Sequence, residues 1–454
     1  MTLEIENYDA PLGAERQYIV KMEDLEHYVK TLTESKGFKE QYEMLGSGSQ
    51  KICNVGNKPE NKAKNRYPDL LPYDDSRVIL QKCKNDPNSD YINASYVESY
   101  KKGVRYICTQ GPLEKTIGDF WRMIWQEDVN VIAMTANIIE HGKKKCEKYW
   151  PDKVLKVGDI IITLQNEIAF LDYTIRNFKV QKVGVSGHHM VRQYQYTAWP
   201  DHGVPTYALA LIDMFKNIQN FQKEQQKWTP WVLHCSAGVG RSGTVMVLDS
   251  AIEMSQAEGR VDVLGILYRM RQQRINLIET VEQYIFVYRA LVEYHFGDKS
   301  CKPANELVLY FNKLRQLDSG TKKTGLEVQF EKLRQLENPY FQQKCLAALT
   351  PNNKNKNRDT YILPPDDGRP VLKTSPPSNY INAVYSYHYG VQNQFVVTQY
   401  PLPNTVADFW QLLWDTGSSS VVIMNEISNK DEFGDSHMFD ALHFRAKLDI
   451  AKAR

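Results

Sequence analysis

The chain has 454 residues, 42% of them hydrophobic and 11% aromatic, and this length is enough for two or three ordinary domains. The composition is typical of a globular protein and excludes a disordered one. The 56 basic and 54 acidic residues give a formal net charge of +2, so no field of one sign indicates nucleic acid or an anionic membrane as a partner. We therefore expect a globular protein that binds no nucleic acid.

The chain starts with the acidic, polar stretch "MTLEIENYDAPLGAER", and no window approaches the roughly 18 apolar residues of a membrane span. We expect a soluble chain with neither a signal peptide nor a membrane span. The cysteines are odd in number and scattered, which favours free thiols in a reducing compartment over a disulfide framework. The predicted localisation is therefore cytoplasmic. The cysteines are Cys53, Cys83, Cys108, Cys146, Cys235, Cys301 and Cys345.

Amphipathic helical periods alternate with short β-rich runs between residues 20 and 297. In chain order they are a helix with an apolar stripe from Leu25, strands "YICTQ" and "VNVIAMTA", a helix with a stripe from Leu211, strand "WVLH", and a helix from Val245. This mixture predicts an α/β fold, a twisted mixed sheet flanked by helices in one domain.

The second half of the chain repeats the first. Three motifs return in the same order and at a nearly constant offset, which coincidence does not explain. They are "KNRYPDLLPYDDSRVIL" from Lys64 and "KNRDTYILPPDDGRPVL" from Lys356, "DYINASY" and "NYINAVY", and "TQGPLEKTIGDFWRMIW" and "TQYPLPNTVADFWQLLW". We interpret the second stretch as a partial copy of the first domain.

The second copy stops after its front half, because nothing after residue 427 resembles residues 150–290. We therefore predict a complete domain over residues 1–300, a partial second domain over 301–427 and a divergent tail over 428–454. Half a domain leaves apolar side chains such as Phe409 and Trp414 without their usual cover, so we expect marginal stability there.

The stretch "WVLHCSAGVGRSGT" reads as a short apolar strand, a glycine-containing turn and the start of a helix. Backbone N–H groups of such a turn, together with the positive end of the helix, form a nest for phosphate. Arg241 can add a bidentate fork to two phosphate oxygens. The residues that we expect to line this nest are Ser236, Ala237, Gly238, Val239 and Gly240.

The same positive surroundings favour the thiolate form of Cys235, which would then be a strong nucleophile. His234 can hold the turn, and Ser242 is placed to stabilise the sulfur when it leaves. A nucleophile and an anion nest at one loop predict phosphoryl transfer to sulfur. A buried structural cysteine before an ordinary helix is the alternative.

This loop resembles the active-site loop of the cysteine-dependent protein tyrosine phosphatases. The resemblance extends over residues 20–297 through "KNRY", "SDYINAS", "TQGP", "FWRMIW", "YWP" and "TAWPDHGVP". It implies that family's fold and the hydrolysis of phosphotyrosine in proteins. The repeat further resembles the tandem cytoplasmic region of receptor-type members, which implies that this chain is the cytoplasmic part of a membrane receptor and leaves open a contact between the two repeats.

The resemblance also implies roles for residues outside the loop. Asp201 in "WPDHGVP" would protonate the leaving tyrosyl oxygen and then activate water, since one carboxyl can serve both steps. Tyr67 resembles the residue that stacks on the substrate ring and sets the depth of the pocket. Asp69 resembles the residue that binds the substrate backbone. A deep pocket of this kind selects phosphotyrosine over the shorter phosphoserine.

Four further residues complete the implied site, one of them a departure from the family. Glu140 resembles a carboxylate that orients the phosphate-binding arginine, and Lys145 resembles a partner of the acid segment. Gln283 matches a family glutamine, whereas Glu279 stands where the family has the glutamine that positions the hydrolytic water. A carboxylate there brings negative charge toward phosphate, so we expect slower hydrolysis of the phosphocysteine than formation.

Two other functions stay open. Glu279 and the incomplete repeat would also suit a phosphotyrosine-binding pseudophosphatase with slow turnover. A dual-specificity or phosphoinositide phosphatase shares the Cys-x5-Arg loop but does not explain "KNRY". The second copy has Asp359 in place of Tyr67 and no cysteine loop, which excludes catalysis there. The expected mechanism uses neither a metal nor a cofactor.

Overall fold

The computed structural model of the chain describes residues 18–84, 86–101, 103–170, 172–200, 203–300, 302–336, 345–366, 368–373, 379–388 and 391–424. The chain forms two compact units, Met1–Glu337 and Asn338–Arg454. The helices between residues 307 and 336 therefore belong to the first unit.

The first unit is built on a large mixed sheet. Its strands are β1 (Val20–Lys21), β2 (Arg77–Ile79), β3 (Tyr91–Glu98), β4 (Val104–Thr109), β5 (Val131–Met134), β6 (Ile139–Glu140), β7 (Lys143–Lys144), β8 (Val154–Val157), β9 (Ile160–Ala169), β10 (Tyr173–Lys182), β11 (His189–Tyr196), β12 (Trp231–His234) and β13 (Arg260–Val261). Within the described residues, nine of them pair in the order β2-β3-β4-β12-β5-β11-β10-β9-β8. The four strands β4, β12, β5 and β11 are parallel, and the flanking strands are antiparallel.

Helices cover both faces of this sheet. The helices of the first unit are α1 (Leu25–Ser35), α2 (Gly37–Glu43), α3 (Asn54–Asn57), α4 (Pro59–Lys62), α5 (Ile117–Gln126), α6 (Leu209–Glu224), α7 (Gly240–Glu258), α8 (Val263–Arg271), α9 (Val281–Ser300), α10 (Leu307–Leu314) and α11 (Gly325–Leu336). One core cluster lies under α6, α7, α8 and α9, and a second lies under α5. The predicted α/β fold, a mixed sheet flanked by helices, is confirmed.

Strand β12 lies at the centre of the sheet because its side chains are apolar on both faces. Trp231 and Leu233 enter the first core cluster and Val232 enters the second, and all three are fully buried. Such double burial is typical of parallel strands covered by helices. Ligands of parallel sheets bind beyond the carboxyl ends of the strands, and this is where the chain leaves β12 for the loop at Cys235.

The second unit contains the short helix α12 (Leu346–Leu349), the hairpin of β14 (Ala383–His388) and β15 (Val391–Thr398), and helix α13 (Val406–Thr416). It repeats the polar network of the first unit. Asn93 Nδ2 donates to Asn65 Oδ1 at 3.0 Å, and Asn382 Nδ2 donates to Asn357 Oδ1 at 3.0 Å. The repeat seen in the sequence is thus also a repeat of hydrogen bonds.

The partial copy covers some apolar side chains and leaves others open. Phe409 is only 4% exposed, so the expectation that it lacks cover is wrong: the β14–β15 hairpin and α13 share a small core. Trp414 is 69% exposed, as expected. In the first unit Trp121 Nε1 donates to the carbonyl of Tyr149 at 2.8 Å, whereas Trp410 Nε1 has no hydrogen-bond partner among the described residues.

None of the helices in the described ranges is both long enough and apolar enough to cross a bilayer.

We predict that Phe409→Ala unfolds the second unit selectively. The fully buried part of its core is Leu372, Ile381, Ala383, Phe409 and Leu412, and a Phe→Ala change in a core costs about 3–5 kcal/mol. Limited trypsin digestion of the full chain, followed by mass spectrometry, should show faster cleavage after Lys354 and Arg358 with no faster cleavage in the first unit.

The matched control is Leu346→Ala, because that side chain is 64% exposed and its loss removes little packing. Equal digestion rates for Phe409→Ala and the parent chain would contradict the prediction.

Candidate active site

The loop of residues 235–239 joins β12 to the first residue of α7, Gly240. Its carbonyl groups point outward and are bound. Ser236 O accepts the Gly111 N–H at 2.9 Å, and Val239 O accepts the N–H groups of Gly243 at 2.8 Å and Ile278 at 3.2 Å. In a trans peptide the next N–H points the opposite way. The loop's N–H groups therefore face its centre.

The sulfur of Cys235 sits at that centre. The Gly238 N–H donates to its Sγ at 3.2 Å, and the cysteine is 5% exposed. The N-terminus of α7 follows directly, so the partial positive charge of the helix adds to the inward N–H groups. The arrangement forms a cup for an anion with a sulfur at its base.

Two residues that the sequence analysis missed hold the cup from behind. Arg274 is fully buried and donates from Nε to Gly238 O at 2.7 Å and from Nη2 to Ala237 O at 3.2 Å. Its guanidinium is held in turn by Asn93 Oδ1 at 3.0 Å. Cys108 Sγ also donates to Gly238 O, at 3.2 Å, and burial raises the pKa of this thiol to about 12.

Gly238 is required by its backbone conformation and by close packing. Its φ is +69°, and a Cβ there would lie 2.1 Å from the backbone oxygen of Thr109. Gly111, after β4, is equally crowded, since its Cβ would lie 2.8 Å from the Cys235 carbonyl. Only glycine allows these two chain segments to approach so closely.

His234 lies at the end of β12 and is fully buried. Burial lowers its pKa to about 4, so the ring is neutral at neutral pH. Its Nδ1 lies 3.1 Å from the Cys235 carbonyl, and its Nε2 lies 2.8 Å from the Tyr149 hydroxyl. A carbonyl can only accept, so Nδ1 carries the proton and Nε2 accepts from Tyr149. Gln193 Nε2 donates to that hydroxyl at 2.6 Å.

Arg241 and Glu140 form a bidentate pair at the mouth of the cup. The two guanidinium nitrogens lie 2.7 and 3.0 Å from the carboxylate oxygens, and Glu140 is 4% exposed. Arg241 also donates to the carbonyls of Thr135 and Pro200, both at 3.2 Å. The pair fixes the plane of the guanidinium, and the bond to Pro200 links it to the residue that precedes Asp201.

The two residues of the "KNRY" region lie beside the loop. The Tyr67 hydroxyl is 3.0 Å from Ser236 Oγ, and the ring is 38% exposed. Asp69 is exposed two residues further on. The tyrosine therefore forms a wall at the rim of the cup, and the carboxylate lies at the outer surface.

Glu279 lies close to the start of α7. A Cβ on Gly240 would be 2.4 Å from its Oε2, and the Glu279 N–H donates to Gln283 Oε1 at 2.9 Å. Partial burial raises the pKa of the Glu279 carboxyl, and the charge of Arg241 opposes that rise. The structure thus places Glu279, which differs from the family pattern, and Gln283, which matches it, side by side at the cup.

Ile278 is held in a left-handed conformation, φ +59°, which is rare for a β-branched residue. Its carbonyl accepts from Arg271 Nη2 at 2.7 Å and from the Tyr42 hydroxyl at 2.8 Å. These bonds offset a backbone strain of about 1–3 kcal/mol and set the direction of the neighbouring Glu279.

The other predicted site residues have few hydrogen bonds, or none, in the described part of the structure. Asp201 lies outside the described residues. Lys145 is half-buried and donates its backbone N–H to the Ile138 carbonyl at 2.8 Å. Ser242 is fully buried in the first turn of α7. Over the described residues, no group of three or more His, Cys, Asp or Glu side chains could hold a metal ion.

The sequence around this site matches a known family. The family model described as protein-tyrosine phosphatase matches residues 61–293 and again residues 353–440. The second match shows that the repeat belongs to the same family as the first domain.

Curated relatives agree with this match. The chain is 36% identical over 416 residues to chicken (Gallus gallus) receptor-type tyrosine-protein phosphatase U, covering 91% of this chain. It is 38% identical over 431 residues to the rat (Rattus norvegicus) zeta protein, covering 89%, and 35% identical over 409 residues to the human alpha protein, covering 88%. The chain spans 28%, 18% and 50% of the lengths of these relatives. It therefore belongs to the protein-tyrosine phosphatase family, in the tandem arrangement of the receptor-type members.

Proposed function

We propose that the first unit hydrolyses phosphotyrosine in proteins through a phosphocysteine intermediate. The observation that supports this best is the cup around Cys235, where inward N–H groups and the Arg241 fork surround one sulfur. Such a cup binds the three equatorial oxygens of a phosphoryl group in transfer and places the sulfur next to the phosphorus. It needs no metal ion.

In the first step the Cys235 thiolate attacks phosphorus and forms a P–S bond while the bond from phosphorus to the tyrosyl oxygen breaks. The leaving phenolate takes a proton from the carboxyl of Asp201, which a phenolate needs because it is a poor leaving group. The bond from Arg241 to the Pro200 carbonyl supports this role, since it ties the phosphate-binding arginine to the residue before Asp201.

In the second step water attacks phosphorus and the P–S bond breaks, which regenerates the thiolate and releases inorganic phosphate. Asp201, now ionised, takes the water proton. Ser242, in the first turn of α7, stabilises the departing sulfur, and Lys145 supports the acid segment. Glu279 with Gln283 positions the water, and its negative charge makes this step the slower one.

Substrate choice follows from the rim of the cup. The Tyr67 ring stacks on the substrate ring, and the Asp69 carboxylate binds the substrate's backbone N–H. A phosphotyrosine is long enough to pass this wall and reach Cys235, whereas a phosphoserine is too short. The proposed partners are therefore phosphotyrosine-containing proteins.

The second copy has a regulatory or scaffolding role in this proposal. Asp359 stands where Tyr67 stands in the first unit, and its carboxylate accepts the backbone N–H groups of Tyr361 and Ile362 instead of forming a pocket wall. We propose a catalytic domain over residues 1–300, an inactive partial domain over 301–427 and a divergent tail, all on the cytoplasmic side of a membrane receptor.

We predict that the purified chain releases inorganic phosphate from a phosphotyrosyl peptide and that Cys235→Ser abolishes this release. The serine hydroxyl cannot serve as a thiolate nucleophile, whereas the cup stays able to bind the peptide. Phosphate release and peptide binding are measured on both proteins.

The matched control is Cys83→Ser, because Cys83 is an exposed free cysteine far from the loop in sequence. Binding without phosphate release by the parent chain would support the pseudophosphatase instead. Phosphate release that survives Cys235→Ser would rule out the proposed nucleophile.

We predict that Glu279→Gln shortens the lifetime of the phosphocysteine about fivefold, because it removes a repulsion between the carboxylate and phosphate of about 1 kcal/mol, the energy of two like charges about 4 Å apart in water. Rapid-quench kinetics with nitrophenyl phosphate would separate the burst from the later hydrolysis. Glu282→Gln, exposed in the first turn of α9, is the control. An unchanged lifetime in Glu279→Gln would refute the assigned effect of this carboxylate.

We predict that Tyr67→Ala lowers kcat/KM for a phosphotyrosyl peptide about tenfold, since stacking on an aromatic ring contributes about 0.5–1.5 kcal/mol beyond its buried area. Discrimination against the matching phosphoseryl peptide should fall as well. Rates are compared for the two peptides with the parent chain and the variant. Unchanged discrimination would show that Tyr67 does not set the depth of the pocket.

A further inference from the structure

Helix α6 begins a few residues after Asp201 and lacks a cap of its own. Its N-cap residue is Ala208, which has no side-chain hydrogen bond to offer. Helix N-termini leave backbone N–H groups without partners, and serine, threonine or aspartate usually accepts them. Here the acceptor comes from α9: Glu293 Oε2 accepts the Ala208 N–H at 2.7 Å.

The carboxyl of Glu293 is enclosed, with 6% of the residue exposed. Burial raises its pKa to about 7, while the backbone N–H groups of Ala208 and Leu209 and the charge of Arg289 favour the ionised form. A buried carboxyl with two helix N–H donors is a specific anchor, because its removal leaves those donors unsatisfied.

The upstream side of the acid segment rests on the same helix. The Trp199 ring packs against Phe286 of α9 at 6.0 Å between centroids, and Trp199 Nε1 donates to the Gly203 carbonyl at 3.3 Å. Phe286 and Glu293 are seven residues apart, two helical turns, so they lie on one face of α9. This face thus holds the chain on both sides of Asp201.

The face also includes Gln283, which accepts the N–H of Glu279 at 2.9 Å. Gln283 lies three residues before Phe286, hence one turn away on the same side of α9. One face of α9 therefore supports Glu279, which we propose positions the water. The same face supports the chain on both sides of Asp201, the proposed acid.

We propose that Glu293 is a positioning residue for the proton transfer: by anchoring the start of α6 it sets where the Asp201 carboxyl meets the leaving oxygen. This inference rests on the proposed function, in which Asp201 is the acid. Glu293 touches neither substrate nor the reacting atoms, so its effect passes through Asp201.

The test compares Glu293→Gln with the parent chain on two aryl phosphates. Phenyl phosphate needs a proton on its leaving oxygen, whereas dinitrophenyl phosphate does not. We expect kcat/KM, which reports formation of the phosphocysteine, to fall about tenfold for phenyl phosphate, part of the about 10²–10⁴-fold that a general acid contributes. For dinitrophenyl phosphate we expect kcat/KM to change less than about twofold. An equal loss with both esters would mean a merely structural role and would overturn the inference.

A double variant gives the second readout. In the Asp201→Asn background, Glu293→Gln should cause no further loss with phenyl phosphate, since both changes then remove the same proton transfer. If the double variant loses the product of the two single losses, the two residues act independently and the inference is wrong. Glu224→Gln, exposed at the opposite end of α6, is the matched control and should leave both rates unchanged.

Glu293→Asp keeps the charge but shortens the reach by one methylene, so it tests the anchor if Glu293→Gln does not fold. We expect a smaller loss, confined to phenyl phosphate, and no loss would overturn the inference. If Asp201→Asn hydrolyses phenyl phosphate as fast as the parent chain, Asp201 is not the acid and the proposed function is wrong at that point. If Asp201→Asn is slower but the Glu293 variants match the parent chain, only the positioning role is wrong.

Discussion

The site depends on the direction of four peptide groups. The carbonyls of residues 236–239 are held outward by donors from three other parts of the chain, namely Gly111, Arg274 and the Gly243 and Ile278 N–H groups. If one of these peptides turned over, it would present a carbonyl oxygen to the phosphate in place of an N–H, and attraction would become repulsion. The buried guanidinium of Arg274 is therefore as much a condition for anion binding as the guanidinium of Arg241 at the mouth of the cup.

Helix α9 is the second support of the site. Its first turns hold the segment of Glu279, its middle packs on Trp199, and Glu293 caps α6. The segments around Glu279, around Trp199 and at the start of α6 thus share one rigid backing. A rigid backing matters because proton and phosphoryl transfer depend on distances of a fraction of an ångström.

The second unit repeats part of the packing of the first. The asparagine network of the first unit returns with the same distances, because all of its members lie in the repeated stretch. The two-stranded hairpin of β14 and β15 has no strand like β12 beside it in the described residues. The cup of the first unit needs such a strand to present its cysteine, so the described residues of the second unit repeat its local packing without the strand that carries the loop.

The sequence by itself determined the features whose parts are neighbours in the chain. The repeat, the α/β pattern and the strand, turn and helix around Cys235 with Arg241 are local, and local spacing dictates their geometry. The pairing of Glu140 with Arg241 was reached only through resemblance, because a hundred residues separate them. Tertiary structure alone decided the burial of Phe409 and the contacts of Arg274 and Glu293. Their partners are set by strand order and helix packing, and long-range contacts of that kind leave no periodic trace along the chain.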